Sequence, residues 1–251
     1  MIHHNPALMR FPDEAAIVGR MVVGFGELEV MTCRVAAKAS SHPDHVLKML
    51  YSLRSTSARV SSARLLMEPH YAAASLAAAQ NITLDAVTFC LKLRNQYAHC
   101  NWTDYQSDPK AGLFFADLQD SASREDWFTH WKHIDVPLLT IQEAFFGDVR
   151  SALLFLEADL EHLRKGWPRN HGLPEPLALP QPPMHNPASQ HIPPWLSEDQ
   201  KAQHKARSQA AEQPASQPER PPSVPRLTEE QWEAKRAKEA REKKPPEESN
   251  S

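Results

Sequence analysis

Between Val136 and Arg164 an apolar residue recurs every three or four positions: Leu138, Ile141, Phe145, Val149, Ala152, Leu156, Leu160 and Leu163. That spacing follows the 3.6-residue turn and predicts one helix roughly 40 Å long at 1.5 Å rise per residue. A second stripe lies near the start of the chain, where Ile17, Met21, Gly24, Leu28, Met31 and Val35 advance by four and three in alternation. Pro12, followed by Asp13 and Glu14, opens that helix, which is expected to run to about Ser40.

Between the two stripes the period is helical, then changes. Ser41-His42-Pro43-Asp44 reads as a turn and a new helix start. Val46, Leu50, Leu53, Ser57, Val60 and Met67 carry a second helix to about Glu68, where Pro69 is expected to break or kink it. Tyr71 to Gln80 is Ala-rich and reads as a short third helix. Thr83 is a candidate N-cap for a fourth, with Leu84, Val87, Leu91 and Ala98 on one strip and an end near His99. Trp102 to Tyr105, a Ser107–Lys110 turn and Leu113-Phe114-Phe115-Ala116 then suggest a small β-hairpin or ordered loop. Ser123 is a candidate cap for a short helix holding Trp127 and Trp131. Gly166 before Trp167-Pro168 is a helix stop. The expected fold is all-α: an antiparallel bundle of four to five helices over residues 10–166, with the hairpin or loop inserted after the fourth helix.

Proline marks where that domain should end. Of 22 prolines, 16 follow Gly166. Residues 167–251 balance 12 basic against 12 acidic residues and have almost no apolar clusters. Such a segment is expected to be a disordered Pro-rich tail, because burial cannot offset its chain entropy. Within it, Leu196-Ser197-Glu198-Asp199-Gln200 resembles Leu227-Thr228-Glu229-Glu230-Gln231. Each copy has a Trp nearby (Trp195 and Trp232), a Ser or Thr able to cap, and basic residues following. They read as two short helical motifs, or as a duplicated peptide that docks on a protein partner.

Several function classes fall away. No apolar run approaches the ~20 residues that span a bilayer, and Met1–Pro6 lacks the charged-then-apolar layout of a signal peptide. Cys33, Cys90 and Cys100 make no even framework, so a reduced, cytoplasmic setting is expected. Only seven glycines are present, with no GxGxxG or GxxxxGK[ST], and no nucleotide cofactor is expected. His99-Cys100 with Cys90 and Cys33 has no zinc-ligand spacing, so no metal is assigned. A net charge of −3 gives no global attraction to nucleic acid, so any RNA contact must be local.

One constellation carries chemistry: Leu93-Arg94-Asn95-Gln96-Tyr97-Ala98-His99, at the end of the fourth helix. Asn95 and His99 are four apart and share a face, while Arg94 and His99, five apart, are turned by about 140°. Arg94 falls on the apolar strip, where a charge is costly unless paired or facing a cleft. An ion pair with Glu27 or Glu29 of the first helix is one way to satisfy it. Arg and His with four to six residues between them occur four times (Arg64/His70, Arg94/His99, Arg124/His130, Arg164/His171), but of these only Arg94 is followed by Asn.

Arg-Asn with a His closing the helix, in a helical domain, resembles the HEPN superfamily. The resemblance covers residues 10–166 in architecture and the Arg94–His99 motif in residues. It implies a metal-independent ribonuclease, often a toxin or defence protein, that dimerises to bring two motifs to one cleft. It also admits non-catalytic relatives that bind RNA or act as scaffolds. The residue types suit the first: His is the side chain whose unperturbed pKa fits a base near neutrality, and Arg donates a planar fork to phosphoryl oxygens. Attack of a 2′-OH on its neighbouring phosphate would leave a 2′,3′-cyclic phosphate and a 5′-OH. Asn95 would hold the imidazole or a phosphate oxygen. Tyr97 is a candidate base-stacking residue, and Arg54 and Arg59 are candidate phosphate contacts.

Overall fold

The computed structural model describes residues 6–105, 108–117 and 130–212. After a short helix α1 (Pro6–Arg10), both predicted stripes are helices: α2 (Pro12–Ala39) and, later, Val136–Lys165. Between them come α3 (Pro43–Ser52), α4 (Thr56–Ala73) and α5 (Ala77–Ala98), so Val136–Lys165 is α6. Proline sits in the first turn of α2 and of α6, where its missing N–H costs nothing. The Asp135 side chain caps α6 by accepting from Leu138 N at 3.0 Å. Gly166 closes it in the left-handed conformation, at φ 65°.

α2 and α6 form the central seam. Met21, Phe25, Leu28, Met31 and Val35 of α2 share one core with Leu139, Phe145, Val149, Leu153 and Leu156 of α6. Each such side chain contributes about 1.5–3 kcal/mol through burial. Ion pairs flank the seam: Arg20–Glu143, Glu27–Arg150 and Arg34–Glu157, each joining residues 123 apart in sequence. Because both partners advance together, the two helices run parallel. Arg164 completes the seam by donating to the carbonyls of Lys38 and Ala39, which cap α2's C-terminus. The expectation of an antiparallel bundle is corrected here. Short links force neighbouring helices antiparallel, but the chain from Ser40 to Asp135 is long enough to return to the starting end.

Three further boundaries differ from expectation. The second predicted helix breaks at Leu53–Ser55, where Ser55 Oγ accepts from Ala58 N at 3.4 Å and caps α4. Pro69 lies inside α4 instead of ending it, and the carbonyl it leaves unpaired belongs to Leu65, an exposed position. The Ala-rich stretch from Tyr71 is no separate helix, because Ser75, at φ 59°, divides it between α4 and α5. Thr83 is therefore interior to α5, and its hydroxyl donates to Ala79 O at 2.7 Å instead of capping.

The fold is mostly helical, with a small three-stranded antiparallel sheet in place of an all-α body. β1 (Asn101–Asp104) and β2 (Leu113–Ala116) form the predicted hairpin, paired from Asn101↔Ala116 to Asp104↔Leu113. β3 (Lys132–Ile134) adds to the other edge of β2, with Leu113 opposite Ile134. Trp131 lies just before β3 and in no helix, while Ser123 and Trp127 fall outside the described residues. Every residue of β2 is buried, so both faces of the sheet are covered. Phe115 packs inward on Tyr97 and Trp102. Phe114 points outward to His133 and Trp195.

Trp195 belongs to the segment read as tail. From residue 167 to the start of helix α7 (Glu198–Glu212) the chain is an irregular strap on the body rather than a solvated tail. Buried Asp159 of α6 holds Arg169 and His171 at its start. Leu173, Leu179 and Met184 pack against the core. At its end Gln200 N donates to Ser197 Oγ (3.3 Å), the Ser cap expected for the first motif copy, and Ser197 N donates in return to Gln200 Oε1 (3.0 Å), which completes a capping box. The second copy, from Leu227, lies outside the described residues. Among the described residues no helix is long and apolar enough to cross a membrane.

Two glycines give opposite expectations. Gly112 has φ +90°, and a Cβ there would lie 2.3 Å from Nε2 of buried His133. Gly112→Ala should lose about 3 kcal/mol. Gly24 faces a cleft of ≈160 Å³ with Gly147 and the Arg20–Glu143 and Glu27–Arg150 pairs, and a Cβ there meets nothing. Gly24→Ala should gain about 0.5–1 kcal/mol from helix propensity. Equilibrium denaturation followed by far-UV circular dichroism measures both.

Candidate functional site

The apolar face of α5, including Leu84, Val87 and Leu93, is buried in the core. Its last turn is anchored by Tyr97, whose hydroxyl donates to Gln142 Oε1 at 2.6 Å and whose ring stacks on Trp102 at 5.8 Å. The helix ends because Asn101 begins β1, and His99 is the C-cap, its N–H donating to Asn95 O at 3.2 Å. With Tyr97 facing inward, Asn95 and His99 face out.

Both line an open groove of ≈620 Å³, together with Lys92, Gln96, Asp117, Lys132 and Met184. α5 supplies one wall, the residue after β2 and the first of β3 another, and the strap a third. Gln96 Nε2 donates to Met184 O at 2.9 Å, which fastens strap to helix. Arg94 is half-buried and donates from Nη1 to Asn95 Oδ1 at 3.0 Å, so it abuts the groove through Asn95 without lining it.

No carboxylate among the described residues pairs with Arg94. Glu29 is taken by Arg59 and Glu27 by Arg150. The other Arg/His matches are committed elsewhere: Arg64 pairs with Asp85, Arg164 caps α2, and Arg124 lies outside the described residues. The structure thus puts Asn95 and His99 on one groove, with Arg94 joined to it only through Asn95.

It does not bring the other candidates there. Tyr97 is a core residue with no face for a base, and burial pushes its phenol well up. Arg59 is occupied by Glu29 and by the carbonyl of Leu53. Arg54 is exposed in the α3–α4 link, and neither arginine lines the groove. Lys92 and Gln96 were missed, although positions 92, 95, 96 and 99 share one helical face by spacing alone. Lys132, Asp117 and Met184 had no local signal, since tertiary folding alone places them here.

The groove can offer ammonium, imidazole and amide donors around a bound anion, against one carboxylate. Burial pushes the neighbouring Cys100 thiol up to about 12, so it supplies no thiolate. Among the described residues no group of three or more His, Cys, Asp or Glu is placed to hold a metal. No family model, curated protein or solved structure matches the chain.

The two arginines set aside give a direct check. Arg59→Ala strands a half-buried Glu29 and the Leu53 carbonyl, and should cost about 2–3 kcal/mol. Arg54→Ala should stay within about 0.5 kcal/mol of wild type. Urea denaturation of both variants reads the difference.

Proposed function

We propose that the end of α5 binds RNA, and that the chain is a HEPN-like, metal-independent endoribonuclease of the toxin or defence kind, acting as a homodimer. The observation that carries this reading is an arginine with no carboxylate partner among the described residues, bonded to Asn95 beside an open groove that also holds His99. In the reaction His99 takes the proton of a 2′-OH as its oxygen attacks the adjacent phosphorus. Arg94 and Asn95 face the charge that builds on the phosphoryl oxygens. The P–O5′ bond breaks, and the 5′ oxygen leaves with a proton. Among the described residues one chain offers one imidazole here, so a second copy supplies the acid for that oxygen. No metal enters the balance.

One observation favours a second reading: Arg94 does not itself line the groove. A protein that holds RNA there without cutting it, or that serves as a scaffold with a partner-docking tail, needs only the polar wall.

The two separate in one experiment. Wild-type protein should cut single-stranded RNA in EDTA, leaving a 2′,3′-cyclic phosphate and a 5′-OH. His99→Ala and Arg94→Ala should each lose about 10²–10⁴-fold in rate. Binding without cleavage selects the second reading. Activity that EDTA abolishes, or that survives His99→Ala, rules out the first.

A further inference from the structure

The strap meets the sheet at a buried imidazole. His133 of β3 is 6% exposed. His191 of the strap lies flat against it, with ring centroids 4.1 Å apart and planes 5° apart. Asn186 holds the same residue twice. Its backbone N–H donates to His133 O at 2.9 Å, and its side-chain amide donates to His133 Nδ1 at 2.9 Å. A ring nitrogen that accepts carries no proton, so this arrangement belongs to neutral His133. The rest of the ring is enclosed by Phe114, edge-on at 5.1 Å, and by Gly112.

The charged and titratable neighbours are few. His191 faces the ring from the strap, and Asp135 lies just beyond β3. His185 bonds through Nδ1 to Asn186 O at 2.7 Å. Lys132, next in the strand, sits over the Phe115 ring on the opposite face. Burial first, and the neighbouring His191 second, lower the His133 pKa from 6.5 to about 4, with Asp135 opposing both.

The clamped segment is also the groove wall. Two residues before Asn186, the Met184 carbonyl accepts from Gln96 Nε2 at 2.9 Å and Tyr97 OH at 3.4 Å. Pro183 O accepts from Gln142 Nε2 at 2.6 Å.

We propose that His133, His191 and Asn186 form a proton-sensitive latch: protonation of His133 frees residues 183–191 from the sheet and opens one wall of the α5 groove. A proton on His133 Nδ1 turns an acceptor into a donor facing the amide donor of Asn186. A flip of that amide restores the bond, but leaves a buried cation stacked on a second titratable ring. Undocking returns His133 to water and to its ordinary value. Its pKa is depressed in the docked state, so docking is at full strength above about 6.5 and weakens as pH falls toward about 4. That gap corresponds to a weakening on the order of 100-fold. The latch is independent of what the groove binds.

Hydrogen–deuterium exchange on the full chain between pH 7.5 and 4, corrected for intrinsic exchange, tests this. Peptides over 183–191 should lose protection on the order of 100-fold while those of α2 and α6 keep theirs. His133→Phe should abolish the pH response, and His191→Phe, which keeps a stacked ring, should reduce it. If His133→Phe does not fold, His191→Phe decides. The latch is overturned if wild-type 183–191 exchanges alike across the range, if α2 and α6 open with it, or if the folded variants respond to pH as wild type does.

Discussion

Everything else is arranged around the parallel contact of α2 and α6. Arg20, Glu27 and Arg34 face Glu143, Arg150 and Glu157, so the charges read plus, minus, plus against minus, plus, minus at steps of seven. Exposed pairs of this kind contribute only about 0–1 kcal/mol each. Their effect is on register. A slip by one heptad would set Arg20 against Arg150 and Glu27 against Glu157, on top of misplacing the apolar seam. Burial along the seam supplies the stability, and the flanking charges select one alignment. That alignment puts the end of α6 beside the end of α2, where Gly166 turns the chain back over the body.

The returning strap answers a need created by the sheet. A hairpin with one wet face alternates polar and apolar residues, but Leu113-Phe114-Phe115-Ala116 does not alternate. Phe115 reaches the helical core; Phe114 and Ala116 are buried yet lie outside that core's cluster. Trp195 covers Phe114 at 5.1 Å between ring centroids, with Tyr105 and Trp131 beside it. Proline richness does not prevent this, since docking uses carbonyl acceptors on Pro183 and Met184 and a few large side chains. Composition averaged over residues 167–251 hides that the first part carries Trp195, Leu173, Leu179 and Met184.

What was legible in the sequence followed from local periodicity. The spans of α2 and α6, the end of α5 at His99 and the β1–β2 hairpin all have signals within a few residues. The shared face of Asn95 and His99 does too. Helix direction had none: the alternating charges on α2 and α6 complement each other equally well when one helix is reversed, so the pattern is silent between parallel and antiparallel. β3 is three residues long and carries no readable period. Tyr97 and Arg59 look like surface chemistry by type, but Gln142 and Glu29, distant in sequence, claim them. At the groove, α5's own face was readable, while the walls from β3 and the strap arise only from tertiary contacts.

The position of the groove restricts how an anion can enter it. The C-terminus of a helix carries partial negative charge and favours cations. A phosphate approaching α5 along its axis meets that field head-on. On the proposed reading it would come from the side, where Lys92 and Lys132 line the wall and Arg94 backs Asn95. The same dipole that resists the phosphate helps to hold those cations near the helix end. Arg94 stays half-buried with an amide oxygen as its partner and no carboxylate among the described residues. A full ion pair would satisfy Arg94 better in the free protein, and would leave less of its charge for a ligand to use.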